Sequence, residues 1–122
     1  MKTSRDPRHI ERIRVMKELF AWEFNDYEDI ENDKTKAVIK NLKEIDQSIN
    51  ISAPAWPIEK INKVDLAILR IAVFELLIEK KTPPKVITDE AVEIAKEYGS
   101  ESSPSFVNGA LGKLISDNNI PV

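Results

Sequence analysis

The chain has 122 residues, 42% of them hydrophobic and 32% charged, with a net charge of −3 at pH 7. That is one domain with a real core and an ordinary folded composition rather than a disordered one. No cysteine and a single histidine, His9, exclude disulfides, thiolate zinc sites and histidine metal clusters. Net acidity removes any global attraction for nucleic acid, so an RNA site would have to come from a local concentration of cations. No run of about 18 apolar residues is present to cross a membrane, and residues 1–8 lack the apolar centre of a signal peptide. The expectation is a cytoplasmic protein with no membrane partner, no cofactor and no metal.

Asp6-Pro7 joins a capping aspartate to a proline suited to the first helical position. Ile10, Ile13, Met16, Phe20 and Phe24 follow at helical spacing and predict a first helix within residues 5–25, ending near Asn25, with these side chains as its apolar stripe. Lys2, Arg5, Arg8, His9, Arg12 and Arg14 crowd its start, with Arg8 and Arg12 one turn apart. The helix dipole disfavours cations there, so the cluster has a reason other than helix stability. Arginine forks bind phosphate bidentately and stack on bases, which suits single-stranded RNA; a merely solvated helix start is the competing reading. Glu23, Asp26, Glu28, Asp29, Glu31 and Asp33 then form an acidic stretch without Lys or Arg.

Residues 28–50 predict a second helix with Val38, Leu42, Ile45 and Ile49 as its seam and Lys34, Lys36, Lys40 and Lys43 on its outer faces. Pro54 and Pro57 demand a bend, in which Trp56 is expected to anchor the core. The segment Ile58–Lys80 is apolar all round and should be the central helix, with a break and restart near Asn62 or Asp65. Arg70 and Glu75 lie within it and need partners on other helices. Thr82-Pro83-Pro84 stops it. Thr88 or Asp89 is expected to cap a short helix whose buried stripe is Ala91, Ile94, Ala95 and Tyr98, with Glu90 and Glu93 as solvated charges and Gly99 at its end. Ser103-Pro104 repeats the cap-plus-proline device before a last helix whose core face is Val107, Ala110, Leu111 and Leu114. Gly109 within that helix predicts a close helix–helix approach there, and residues 116–122 a frayed tail. Nothing alternates like a strand, so the fold class is all-α.

The inventory does not point to an enzyme: no cysteine, one histidine, and glycines at 99, 109 and 112 that fit no phosphate-binding loop. Tyr98 and Phe106 flank a polar linker and could supply a stacking platform for bases, the alternative being core packing for both rings.

Three segments read together carry a family resemblance: residues 63–76 (KVDLAILRIAVFEL), 88–99 (TDEAVEIAKEYG) and 106–111 (FVNGAL). They resemble the signature of the NusB family of bacterial transcription antitermination factors, from about Trp56 to Leu114 and more weakly through residues 5–24. The resemblance implies a single NusB-like domain over 1–122, a compact bundle of about five to six helices with the signature helices in 56–115. It implies binding of boxA-type single-stranded RNA together with the ribosomal protein NusE, and with other Nus factors and RNA polymerase, in support of ribosomal RNA transcription. By the same resemblance the RNA-binding residues are Arg5, Arg8, His9, Arg12, Lys85, Tyr98, Ser102 and Phe106, and the partner-binding residues Phe20, Asp65 and Arg70. Four departures stand out. Thr88-Asp89 replaces Ile-Asn, Gly112 replaces an aspartate, Phe20 lacks a tyrosine hydroxyl, and the stretch from Trp22 to Trp56 is shorter by roughly a helix. The alternative is a module of the same fold that binds protein, or a second copy of itself, with weak or no RNA binding.

Overall fold

The computed structural model describes residues 6–25 and 29–122. Its helices are α1 (Pro7–Asn25), α2 (Asp33–Lys40), α3 (Leu42–Ser52), α4 (Lys63–Phe74), α5 (Pro84–Tyr98) and α6 (Ser103–Asp117). A 3₁₀ turn (Ile58–Lys60) precedes α4 and a π-helical turn (Glu75–Glu79) continues it. No strand occurs among the described residues, and no helix there is long and apolar enough to cross a membrane.

The apolar all-round segment becomes the centre of the molecule. Every residue of α4 from Asp65 to Phe74 is buried, and α4 contacts each of the other five helices. Asn62 makes the restart, its side-chain oxygen accepting the amides of Val64 at 2.8 Å and Asp65 at 3.3 Å. After Phe74 the helix widens into the π turn, and Lys80 closes it in the left-handed region at φ 55°, donating its amide to Glu75 O at 3.0 Å. Pairings of α5 with α6, and of both with α4, complete the core.

Local signals place most ends. The Asp6 carboxylate accepts the Arg8 amide at 2.9 Å and opens α1, while Gly99 caps α5. The second helix is in fact two: Asn41 breaks it, with Nδ2 donating to Ala37 O at 2.8 Å, and Asn32 caps the first piece. Helix α5 starts at Pro84, a turn before the expected cap, because a proline at the first position needs no amide partner. Thr88 donates its hydroxyl back to Pro84 O at 3.0 Å instead. Ser103 does not cap α6: its hydroxyl accepts the Ser100 amide at 2.9 Å, tying the α5–α6 linker shut.

Three expectations are corrected. The buried face of α1 is His9, Arg12, Val15, Met16 and Leu19, whereas Ile10, Phe20 and Phe24 are exposed. The helix is rotated from its apolar stripe because His9 and Arg12 find carboxylates inside. Trp56 is exposed rather than anchoring the core. Close approach occurs at Gly99, where a Cβ would lie 2.5 Å from Ser103 Cβ, and not at Gly109, which has nothing within 4 Å of that position. In the tail, Ile120 packs against the core.

Candidate nucleic-acid interface

The basic start of α1 divides into an inner and an outer set. Arg12 is 6% exposed, and its guanidinium forks onto Glu75, with Nε and Nη2 each 2.8 Å from a carboxylate oxygen. Its Nη1 donates to Glu90 at 3.2 Å, and Lys34 of α2 reaches Glu75 at 3.0 Å and Glu79 at 3.7 Å. His9, also buried, bridges two carboxylates of α5: Nδ1 lies 2.9 Å from Glu90 and Nε2 2.9 Å from Glu97. Burial by itself would lower the His9 pKa, but the hydrogen bonds and charges of Glu90 and Glu97 outweigh it and raise it. Burial would raise that of Glu75, yet the Arg12 fork and the Lys34 charge hold it below the usual carboxylate value.

His9 and Arg12 therefore do not present their charges to solvent as expected; they staple α1 to α5 and to the π turn. Lys34 and Glu90 turn inward with them. Arg5 lies outside the described residues. Arg8 does stand free at the surface, its side chain 82% exposed apart from a loose contact with Asp6.

Sequence reasoning missed Lys17. Its Nζ sits 5.4 Å from the centre of the Tyr98 ring, a cation–π contact at the end of α5. Tyr98 was expected on the buried stripe of α5 or as a stacking ring, and it is exposed. Arg14 and Lys17, one turn apart, border a groove of about 330 Å³ with Asp29 and Ile30; that spacing is the signal that could have found Lys17. Ser102 is exposed, and Phe106 is half-buried with its ring edge-to-face on Trp56 at 6.1 Å. Lys85 is exposed at the opposite end of α5, roughly 20 Å from Tyr98 at 1.5 Å per residue.

The three expected partner-binding residues separate in the same way. Phe20 is exposed and meets Phe24 edge-to-face at 5.0 Å. Arg70 is buried, forked onto Asp46 at 2.9 Å and paired with Glu23, so it has the structural partners its position demanded and offers nothing to a docking protein. Asp65 is buried too. Desolvation raises its pKa, with the Ser103 hydroxyl pulling the other way.

The family model described as the NusB family matches residues 30–116. A transcription antitermination protein NusB from Clostridium botulinum is 40% identical over 119 residues, covering 94% of this chain and 81% of the relative. The NusB of Roseiflexus castenholzii is 55% identical over 74 residues, 59% of this chain and 52% of the relative. Among solved structures, T. maritima NusB is 37% identical with a TM-score of 0.79, over 96% of this chain and 94% of that one. A chain from a complex of the antitermination factors NusB and NusE with dsRNA shares the fold, with a TM-score of 0.77 at 21% identity, over 92% of this chain and 99% of that one. With the family model matched over residues 30–116 and a relative 40% identical over 94% of the chain, this chain belongs to the NusB family.

Proposed function

We propose that this protein is a transcription antitermination factor that binds a boxA-like single-stranded RNA together with a NusE-type ribosomal protein. The observation that carries the reading, within a NusB-family chain, is the exposed pairing of Lys17 with Tyr98 where α1 meets the end of α5. A cation set over an aromatic ring offers a phosphate contact and a stacking surface side by side, and rings find bases only where these are unpaired. Arg8 and Lys17 meet phosphates, Tyr98 and Ser102 meet bases, and Lys85 contacts a strand that runs along α5. His9 and Arg12 act as positioning residues, holding the start of α1 against α5. The activity is binding and needs no chemistry, and it places the protein with RNA polymerase in the cytoplasm. The exposed Phe20–Phe24 pair favours a protein partner on the far part of α1, which would serve either NusE or a second copy of this chain.

Fluorescence anisotropy with a labelled boxA-like strand and a scrambled strand, at two salt concentrations and with or without NusE, tests the reading. Tighter binding to boxA that grows with NusE is expected. A double variant Arg8→Gln, Lys17→Gln should weaken binding and lower the salt slope by about 0.7 per lost phosphate contact. Unchanged affinity in that variant would move the site elsewhere.

A further inference from the structure

His9 is the one histidine of the chain, and the geometry around it is that of a held proton. The residue is 5% exposed, with Nδ1 2.9 Å from Glu90 and Nε2 2.9 Å from Glu97. A carboxylate only accepts, so both contacts are hydrogen bonds only when both ring nitrogens carry hydrogen, in the imidazolium form. A neutral ring turns one lone pair towards a carboxylate oxygen. The surrounding charges are mostly acidic: Glu90 and Glu97 on α5, Glu75 and Glu79 on the π turn, and Asp6 at the helix start. The inward cations are already engaged, Arg12 with Glu75 and Glu90, and Lys34 of α2 with Glu75 and Glu79. Lys96 of α5 is exposed and pairs with Glu93. The charged residues of α4, Asp65 and Arg70, face Ser103 and the Asp46–Glu23 pair instead.

Helix α1 packs chiefly on α4, and side chains make its bridges to α5: His9 and Arg12 to Glu90, His9 to Glu97, and Lys17 to Tyr98. Glu97 and Tyr98 are neighbours in the last turn of α5. Of the two bridges that reach this turn, only the one through His9 can be broken by a proton near neutral pH. We propose that RNA binding by this protein is proton-gated at His9: the imidazolium between Glu90 and Glu97 holds the last turn of α5 to α1, so that Lys17 and Tyr98 form one surface, and loss of its proton frees that turn and weakens RNA binding. The inference rests on the RNA-binding reading above and adds to it a regulation and a positioning residue, Glu97. The change is local, because Arg12 keeps its fork on Glu75 and Val15, Met16 and Leu19 stay buried. The two carboxylates hold the proton on above the ordinary 6.5, and it leaves as pH rises further. Linkage is reciprocal, so bound RNA raises the His9 titration midpoint in turn.

A single histidine gives one set of ring resonances, so proton NMR follows its titration in the full chain without ambiguity. The test sets that midpoint beside RNA affinity, measured by anisotropy with the boxA-like strand from about pH 5.5 to 9. Wild-type affinity should fall about tenfold as His9 titrates, and bound RNA should raise the midpoint by about one unit, since linkage makes the two equal. Glu97→Gln, at a side chain 42% exposed, should keep the fold while removing one carboxylate, so midpoint and affinity profile should move to lower pH together. His9→Gln should bind weakly throughout and lack the step, any other titrating group acting in it as in the wild type. Level wild-type affinity while His9 titrates overturns the gate and leaves the RNA-binding reading standing. So does a Glu97→Gln variant that moves the midpoint but not the affinity profile, or a wild-type midpoint below 6.5. Helicity lost along the same step would make the effect unfolding and overturn the proposal as well. If RNA binds at no pH, both readings fall.

Discussion

Arg12 reads as a phosphate ligand in the sequence and serves as a core residue in the structure. Its position at the start of a cationic helix argued for RNA, but the carboxylates that claim it stand 63 and 78 residues away, at Glu75 and Glu90. No local pattern reports a pairing across that separation. The opposite holds for Glu75 and Arg70, whose need for partners was legible because both sit in an otherwise apolar helix. Removing one member of a buried pair strands the other, so Arg12→Ala should destabilise the protein by about 3–5 kcal/mol in urea unfolding. Arg12→Lys should fall between, since an ammonium keeps the charge but loses the two-toothed fork on Glu75. An Arg12→Ala variant as stable as wild type that fails only in RNA binding would return Arg12 to the surface role.

Among the elements, helix ends were the most legible features and helix faces the least. Asp6-Pro7 and Asn62 mark ends by side-chain capping, a local property, and Gly99 ends α5 in an extended conformation at φ −90°. The break at Asn41 was hidden because the apolar seam of Val38, Ile45 and Ile49 continues across it. Glycines were misjudged for a related reason: sequence shows where they stand, not what faces them. Gly109→Ala should stabilise by up to about 1 kcal/mol, because the position is open and glycine is a poor helix former. Gly99→Ala should instead destabilise by about 1–3 kcal/mol, since the new methyl collides with Ser103 and the Ala95 carbonyl. Thermal unfolding of the two variants should therefore shift in opposite directions, and equal shifts would contradict the packing at the α5–α6 linker.

Across the whole molecule, the network of His9, Arg12, Lys34, Glu75, Glu90 and Glu97 ties α1, α2, the π turn and α5 together, so its ionisation reports on the assembled fold. The His9 pKa is raised above its ordinary 6.5, so its contribution is complete below that value and is lost as pH rises through the folded one. The Glu75 pKa is lowered from 4.5, so its contribution is present above that value and is lost as pH falls through the folded one. Both are complete between 4.5 and 6.5, where this network stabilises most. The melting temperature should decline on the alkaline side of that window, and His9→Gln should flatten the decline. A wild-type profile level from pH 6 to 9 would show that His9 does not hold a proton between Glu90 and Glu97.

What the sequence by itself determined is the all-α class, most helix ends, the central place of α4 and the family. The first three follow from composition, periodicity or capping, which act within a few residues along the chain, and the family from the resemblance carried by residues 63–76, 88–99 and 106–111. Tertiary structure alone decided which cations face water. It drew His9, Arg12 and Lys34 inward and left Arg8, Lys17, Tyr98 and Trp56 outside. Helical periodicity sorts apolar from polar side chains, but a charge goes inward only when an opposite charge from a distant segment meets it there, and that meeting exists only in the folded chain.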